Sequence, residues 1–342
     1  MTHIQLPISK SIANRLLILQ ALSGEPLLDV SDPSIPEDTL LMHNALEAIQ
    51  NGKDEVNVEN CGTAMRFLTA YCAQLQGRSV LINCSERMKQ RPIGQLVTAL
   101  IRCGADIWYE NEVGYPPLRI HGKQLVMPVL SQISGEPLVI PSPDSSQYIS
   151  AMILIGLNAD TKQASPYIHM TRTMCELWKQ GKRDFEEKDW SSAAFWYAYV
   201  ALHGGQLHLD GLTDSALQGD RVIVKWFKRL GVETTFDTTG VTIEKKRRAV
   251  HWPYILNFAN NPDLYPVMAI TCQQLHVPLW ARSTTSQRIK ESDRIESVKM
   301  RQTQGDHRMA MSLLAADLPC DDVECVRKSY PGFYEQLCQL RG

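Results

Sequence analysis

"RPIGQLVTALIRCGADIWY" (91–109) and its later counterpart "GDRVIVKWFKRLGVETTF" (219–236) decide the fold class. In each, apolar residues recur every three and four positions, as on one face of a helix, and the run stops at a glycine, Gly104 or Gly231. An alternating, strand-like stretch follows at once. A second kind of helix stands between such stretches: "SKSIANRLLILQAL" (9–22), "NCGTAMRFLTAYCA" (60–73), "SSQYISAMILIGL" (145–157), "WSSAAFWYAYVAL" (190–202) and "GDHRMAMSLLAADL" (305–318). Each passes directly from a small polar cluster into an apolar helix, so the clusters read as helix N-caps. The alternation predicts an α/β protein built from a strand–helix–strand–helix–strand unit, of which about six copies fit the chain.

At 342 residues the chain exceeds the usual reach of one hydrophobic core, which favours two domains. Its 35 basic and 37 acidic residues leave a net charge of −2, so nucleic acid and anionic membranes are not expected partners. Nine cysteines form no CxxC pair, which points to reduced thiols and away from a disulfide framework or a zinc site. No apolar run approaches the ~18–20 residues that span a bilayer, and the N-terminal "LLILQAL" has no cleavage signal after it. The expectation is a soluble cytoplasmic protein.

The helix openings carry the functional signal. Free N–H groups and the positive end of the dipole make each a potential anion site. Basic residues stand at or near them: Lys10, Arg15, Arg66, Arg91, Arg294, Arg308 and Lys328. If they converge, a nearly neutral protein gains a cationic pocket for small substrates bearing phosphates and carboxylates. If they do not, they are ordinary surface charges. No Walker loop and no strand-linked GxGxxG is present, so a nucleotide is not the expected anion.

Seven motifs then align in order: "PISKSIANR" (7–15), "NCGTAMRFLTA" (60–70), "RMKQRPIGQL" (87–96), "SSQYISAMI" (145–153), "ALQGD" (216–220), "RIKESDRI" (288–295) and "DHRMAM" (306–311). The set resembles the 5-enolpyruvylshikimate 3-phosphate synthase (3-phosphoshikimate 1-carboxyvinyltransferase) family over nearly the whole chain. The resemblance implies the two-domain enolpyruvyl transferase fold, an inside-out α/β barrel of six β-α-β-α-β-β units, three per domain. Residues 8–187 would form the shikimate 3-phosphate side and residues 1–7 with 188–342 the second domain, with the active site in the cleft. The implied reaction moves the enolpyruvyl group of phosphoenolpyruvate onto the 5-hydroxyl of shikimate 3-phosphate and releases phosphate, without metal or organic cofactor. A monomer acting on these two small molecules is the expectation.

By the same resemblance, Lys10, Gly62, Arg91, Gln147, Arg294, Arg308 and Lys328 bind phosphoenolpyruvate. Lys10, Ser11, Arg15, Ser145, Ser146, Gln147, Tyr167, Asp263 and Lys290 bind shikimate 3-phosphate. Asp263 matches the family's general base and Glu291 its proton donor, with Lys10 able to share proton transfer. Phosphoenolpyruvate needs fixed cations, arginine above all for bidentate contact, and proton traffic needs an acid and a base within reach. Taken alone, Glu291 reads as a solvated helix charge, Asp263 as a turn residue before a helix, the two serines as plain caps and His307 as structural. Gly62 leaves the phosphoenolpyruvate site uncrowded, which predicts sensitivity to glyphosate, a family inhibitor competing with that substrate.

A related enolpyruvyl transferase acting on a UDP-sugar shares the fold but lacks the SKS, SSQ and DHRMAM set. A binding protein descended from the synthase by deletion is the other alternative. Departures from the pattern are Ile8, Ala164 in "ASPY", where the family has a Ser, and Ser286. The chain is also short before residue 60 and between Tyr167 and Asp189. Only 12 residues separate Arg294 from His307, too few for the strands expected there. Either the chain is a compact member, or segments such as one at 300/301 are missing from it.

Overall fold

The computed structural model describes residues 1–342 except Ala216, Val250 and His251, so the first residue of the "ALQGD" motif lies outside the described residues. The chain divides into two compact units: Ser11–Val30 with Asp38–Phe185, and Met1–Lys10 with Ser31–Glu37 and Glu186–Gly342. The first strand, β1 (Thr2–Gln5), belongs to the second of these.

In the N-terminal unit, α1 (Lys10–Ser23) and α2 (Glu37–Gln50) are joined without a strand. There follow β2 (Glu55–Asn57), α3 (Gly62–Ala73), β3 (Ser79–Asn83), α4 (Gly94–Arg102), β4 (Asp106–Tyr109) and β5 (Leu118–His121). The four strands make one sheet of order β2-β3-β5-β4, parallel only between β2 and β3. Next come α5 (Val129–Ser134), β6 (Leu138–Val139), α6 (Ser146–Leu154), β7 (Ala159–Asp160) and α7 (Pro166–Lys179), with β6 and β7 forming a parallel pair. Helix α3 is buried on every side but Thr63, as its near-continuous apolar sequence requires.

The C-terminal unit repeats the plan. It holds α8 (Trp190–His203), β8 (Gln206–Asp210), α9 (Ile223–Arg229), β9 (Val232–Phe236) and β10 (Gly240–Lys245), in a sheet of order β1-β8-β10-β9. A parallel pair, β11 (Tyr254–Asn257) and β12 (Leu279–Arg282), flanks α10 (Tyr265–Gln274), and α11 (Arg294–Met300), α12 (His307–Ala315) and α13 (Phe333–Arg341) complete it. Helix α8 carries Trp190, Phe195, Trp196 and Tyr197 wholly inside. Trp196 still satisfies its indole, donating to Tyr330 Oη at 3.2 Å, and Tyr330 donates to the Gln5 carbonyl at 2.7 Å.

The glycine stops take their expected form. Gly104 (φ +94°) and Gly231 (φ +92°) are left-handed, and a Cβ on Gly231 would collide with the Arg247 carbonyl. The six repeats are unequal, however. Two keep four strands, two keep a parallel pair, and α1–α2 and α11–α12 have no strand between them among the described residues. The reason is length: α11 joins α12 through Arg301–Asp306, where Arg301 (φ 55°), Gln304 (φ 50°) and Gly305 (φ 73°) turn the chain in the left-handed region.

Candidate active site

In the C-terminal unit, Asp263 sits in the 3-10 turn Pro262–Leu264 ahead of α10. The turn is pinned from both sides: Asn261 Nδ2 donates to Asp220 Oδ1 at 2.9 Å, and Gln287 Nε2 donates to the Pro262 carbonyl at 2.9 Å. Three cations converge on its carboxylate. Arg308 Nη2 lies 2.9 Å from Oδ2, while Arg294 Nη1 and Lys290 Nζ lie 3.0 and 3.5 Å from Oδ1. Burial alone would raise the Asp263 pKa, but Arg308, Lys290 and Arg294 outweigh it and hold the group well below the usual carboxylate range.

Arg294 is the centre of this network. Fully buried at the first turn of α11, it also donates through Nε to Asp306 at 2.7 Å and through Nη2 to Glu291 at 3.2 Å. Burial would lower its pKa, yet Asp306, Asp263 and Glu291 together raise it. Glu291 meets a second cation, Lys328 Nζ, at 3.5 Å. Asp306 does two jobs, since it also caps α12 by accepting from the Arg308 backbone N–H at 2.9 Å. His307 is 1% exposed, with neither ring nitrogen hydrogen-bonded among the described residues. Its burial, and the nearby charges of Lys10, Arg308 and Lys328, push its pKa well below the ordinary value, so the ring is neutral.

In the N-terminal unit the first turns of α3 and α6 meet around two more arginines. Arg66 Nη1 donates to the Gly62 carbonyl at 2.9 Å and to Gln147 Oε1 at 3.1 Å, and its guanidinium stacks over Tyr148 at 5.6 Å. Gln147 Nε2 in turn donates to Thr63 Oγ1 at 2.8 Å. Arg91, 7% exposed, closes on the same turn. A Cβ on Gly62 would overlap Arg66 Nη1 and lie 2.8 Å from Arg91 Nη1. Glycine here is thus set by close approach of two guanidiniums. Ser145 caps α6, its Oγ accepting from the Gln147 N–H at 3.2 Å, and Ser146 is the first helical residue. The α3 cap is Cys61, whose sulfur accepts from Ala64 N. Ser145, Ser146, Gln147, Ser11 and Tyr167 are all partly exposed.

Arg15 lies deeper. It is 2% exposed, donates to Thr171 Oγ1 at 2.7 Å, Ser11 O at 2.6 Å, and both Ser150 Oγ and Tyr167 O at 3.2 Å, and has its pKa lowered by burial to about 10. It therefore ties α1 to α6 and α7.

Of the residues singled out in the sequence, the structure brings Asp263, Lys290, Glu291, Arg294, Arg308 and Lys328 into one network, with Lys10 close enough to act on His307. Gly62, Arg91 and Gln147 group in the N-terminal unit around Arg66. Three participants had no assigned role. Arg66 was visible only as a basic residue at a helix opening, Asp306 as an N-cap candidate, and buried Asp220 only as the last residue of the "ALQGD" motif.

With this geometry in hand, comparison places the chain. The family model for EPSP synthase (3-phosphoshikimate 1-carboxyvinyltransferase) matches residues 47–300. A 3-phosphoshikimate 1-carboxyvinyltransferase of Bacteroides fragilis (strain YCH46) is 34% identical, with 98% of this chain and 94% of the relative aligned. One from Colwellia psychrerythraea is 27% identical over 99% of this chain and 96% of its own length. The Bacteroides alignment runs over 399 positions, 57 more than the 342 residues here, so it holds gaps in this chain. The fold is shared with the EPSP synthase structure from Acinetobacter baumannii, at a TM-score of 0.67 and 18% identity, covering 98% and 95% of the two chains. The chain belongs to the EPSP synthase (3-phosphoshikimate 1-carboxyvinyltransferase) family.

Proposed function

We propose that the chain transfers the enolpyruvyl group of phosphoenolpyruvate to the 5-hydroxyl of shikimate 3-phosphate, and that the two residue sets described above serve this one reaction. The observation that carries the reading is a single carboxylate, Asp263, held ionised by Arg308, Arg294 and Lys290. Such a group is ready to accept a proton but weakly basic while the cations surround it. The phosphate and carboxylate of phosphoenolpyruvate compete for the same guanidiniums, so substrate draws them off Asp263 and its basicity rises when it is needed.

In this reading Asp263 removes the 5-hydroxyl proton, and the oxygen attacks C2 of phosphoenolpyruvate as C3 gains a proton from Glu291 or Lys10. The resulting tetrahedral ketal then loses a C3 proton and inorganic phosphate. Arg91, Arg294, Arg308, Lys10 and Lys328 hold phosphoenolpyruvate, with Gln147 and the Gly62 backbone. Ser11, Ser145, Ser146, Gln147, Tyr167, Lys290 and Asp263 receive shikimate 3-phosphate, with Arg15 positioning the helices that present them. We read the enzyme as a cytoplasmic monomer; all nine cysteines are free thiols, which fits a reducing compartment.

Phosphate release by the purified protein, with each substrate omitted in turn, tests the proposal. Release that needs both substrates and falls by roughly 10²–10⁴ in Asp263→Ala is expected, the range for losing a general base. Intact calorimetric binding of shikimate 3-phosphate with no release would instead identify a binding protein of synthase descent.

A further inference from the structure

The outer face of the sheet β1-β8-β10 carries a cluster that the transfer reaction does not use. Strand register sets His3, His208 and Thr242 in one row across the three strands, and Gln5, Asp210 and Gly240 in the next row on the same face. His3 Nδ1 lies 2.7 Å and His208 Nε2 3.5 Å from Asp210 Oδ1, and one ligand atom from each of the three residues falls within 4.8 Å of the others.

The surrounding groups orient these atoms. His208 is 1% exposed, and its Nδ1 meets Thr242 Oγ1 at 3.0 Å, with Asp237 Oδ2 beyond at 3.8 Å. The Thr239 hydroxyl, 3.2 Å from Nε2, donates to Asp237 Oδ1 at 2.6 Å. With its proton given to Asp237, Thr239 Oγ1 accepts from His208 Nε2, which also faces the Asp210 carboxylate, so Nε2 carries the proton in the metal-free protein. Gln5 Nε2 donates to the other Asp210 oxygen. Gly240 keeps the space open: a Cβ there would overlap the Leu209 carbonyl and stand 3.0 Å from His208 Nε2.

We propose that His3, His208 and Asp210 bind a divalent transition metal of the zinc type, with a fourth coordination position left to solvent. Two imidazoles and a carboxylate suit zinc and exclude a magnesium or calcium preference. Bonds of about 2.0–2.1 Å in a tetrahedron separate ligand atoms by roughly 3.3 Å, between the spacings seen. Thr242 and Asp237 behind His208, and Gln5 behind Asp210, are the outer partners that orient such ligands. On binding, each histidine shifts its proton to the ring nitrogen away from the ion: His3 from Nδ1 to Nε2, coordinating through Nδ1, and His208 from Nε2 to Nδ1, where Thr242 Oγ1 and Asp237 can accept it, coordinating through Nε2. The site stands at the outer end of the strand that opens the chain, so the metal would fasten β1 to β8.

Chelator-treated full-length protein titrated with Co²⁺, then Zn²⁺, is the test. One equivalent of Co²⁺ should bind with the visible absorption of a tetrahedral N/O site and be displaced by Zn²⁺ but not by Mg²⁺. His3→Ala, at an exposed side chain, and Asp210→Asn should each weaken Co²⁺ binding at least about tenfold, the effect of losing one ligand or its orientation. Their metal-free far-ultraviolet spectra should match wild type. Absence of the visible band, affinity unchanged in both variants, or a sulfur-to-cobalt charge-transfer band locating the ion on cysteine would each overturn the proposal.

Discussion

Substituting His307 by Gln tests the electrostatic reading of the C-terminal network. The imidazole is buried beside Lys10, Arg308 and Lys328, with Glu291 alone pulling the other way, so its pKa lies well below the ordinary value of about 6.5. In the unfolded chain it regains that ordinary value. As pH falls from 7.5 to 5.5 the unfolded state takes up a proton that the native state refuses, so stability declines with falling pH. For one such group the loss over this interval is on the order of 1 kcal/mol. His307→Gln removes the titration but leaves a polar group in place. Urea denaturation at pH 7.5, 6.5 and 5.5 measures the effect through tryptophan fluorescence, to which buried Trp190, Trp196 and Trp226 of the unit holding His307 contribute. The variant should gain on the order of 1 kcal/mol on wild type across that range, whatever its constant offset, and other titrating groups cancel in the difference. A difference that stays flat to within a few tenths of a kcal/mol would mean that His307 is not held neutral, and the arrangement of cations around it would be wrong.

Asp306→Ala leaves the Arg294 guanidinium without its 2.7 Å partner and α12 without its cap, and should cost about 3–5 kcal/mol in urea denaturation. Asp306→Asn, which can still cap the helix, should cost less; equal losses would argue against the charge. Gly62→Ala should displace Arg66 and Arg91 and raise both the KM for phosphoenolpyruvate and the glyphosate inhibition constant, glyphosate by roughly tenfold if one bidentate contact is lost. Unchanged inhibition would show that these guanidiniums do not face the inhibitor. Arg301→Gly and Gln304→Gly relieve left-handed backbone in the link to α12, and each should stabilise the fold by up to about 1 kcal/mol; destabilisation in both would contradict those dihedral angles.

Much of this molecule was legible without coordinates. Helix periodicity, the stops at Gly104 and Gly231, and the caps at Ser145 and Asp306 are matters of a few neighbouring residues, and local sterics and hydrogen bonding express them directly. The motif order named the family, and with it the residues Asp263, Glu291, Arg294 and Arg308. Tertiary structure alone decided what those residues do to one another. Arg294 binding Asp263, Glu291 and Asp306 together, the neutrality of His307, the press of Arg66 and Arg91 on Gly62, and Arg15's retreat into the interior depend on burial and on partners far apart in sequence. The unequal repeats, by contrast, were foreshadowed in the sequence by the short spacing of 12 residues between Arg294 and His307. His3 and Asp210, 207 residues apart, share a site only because a parallel register brings β1 beside β8, and no local pattern records that pairing.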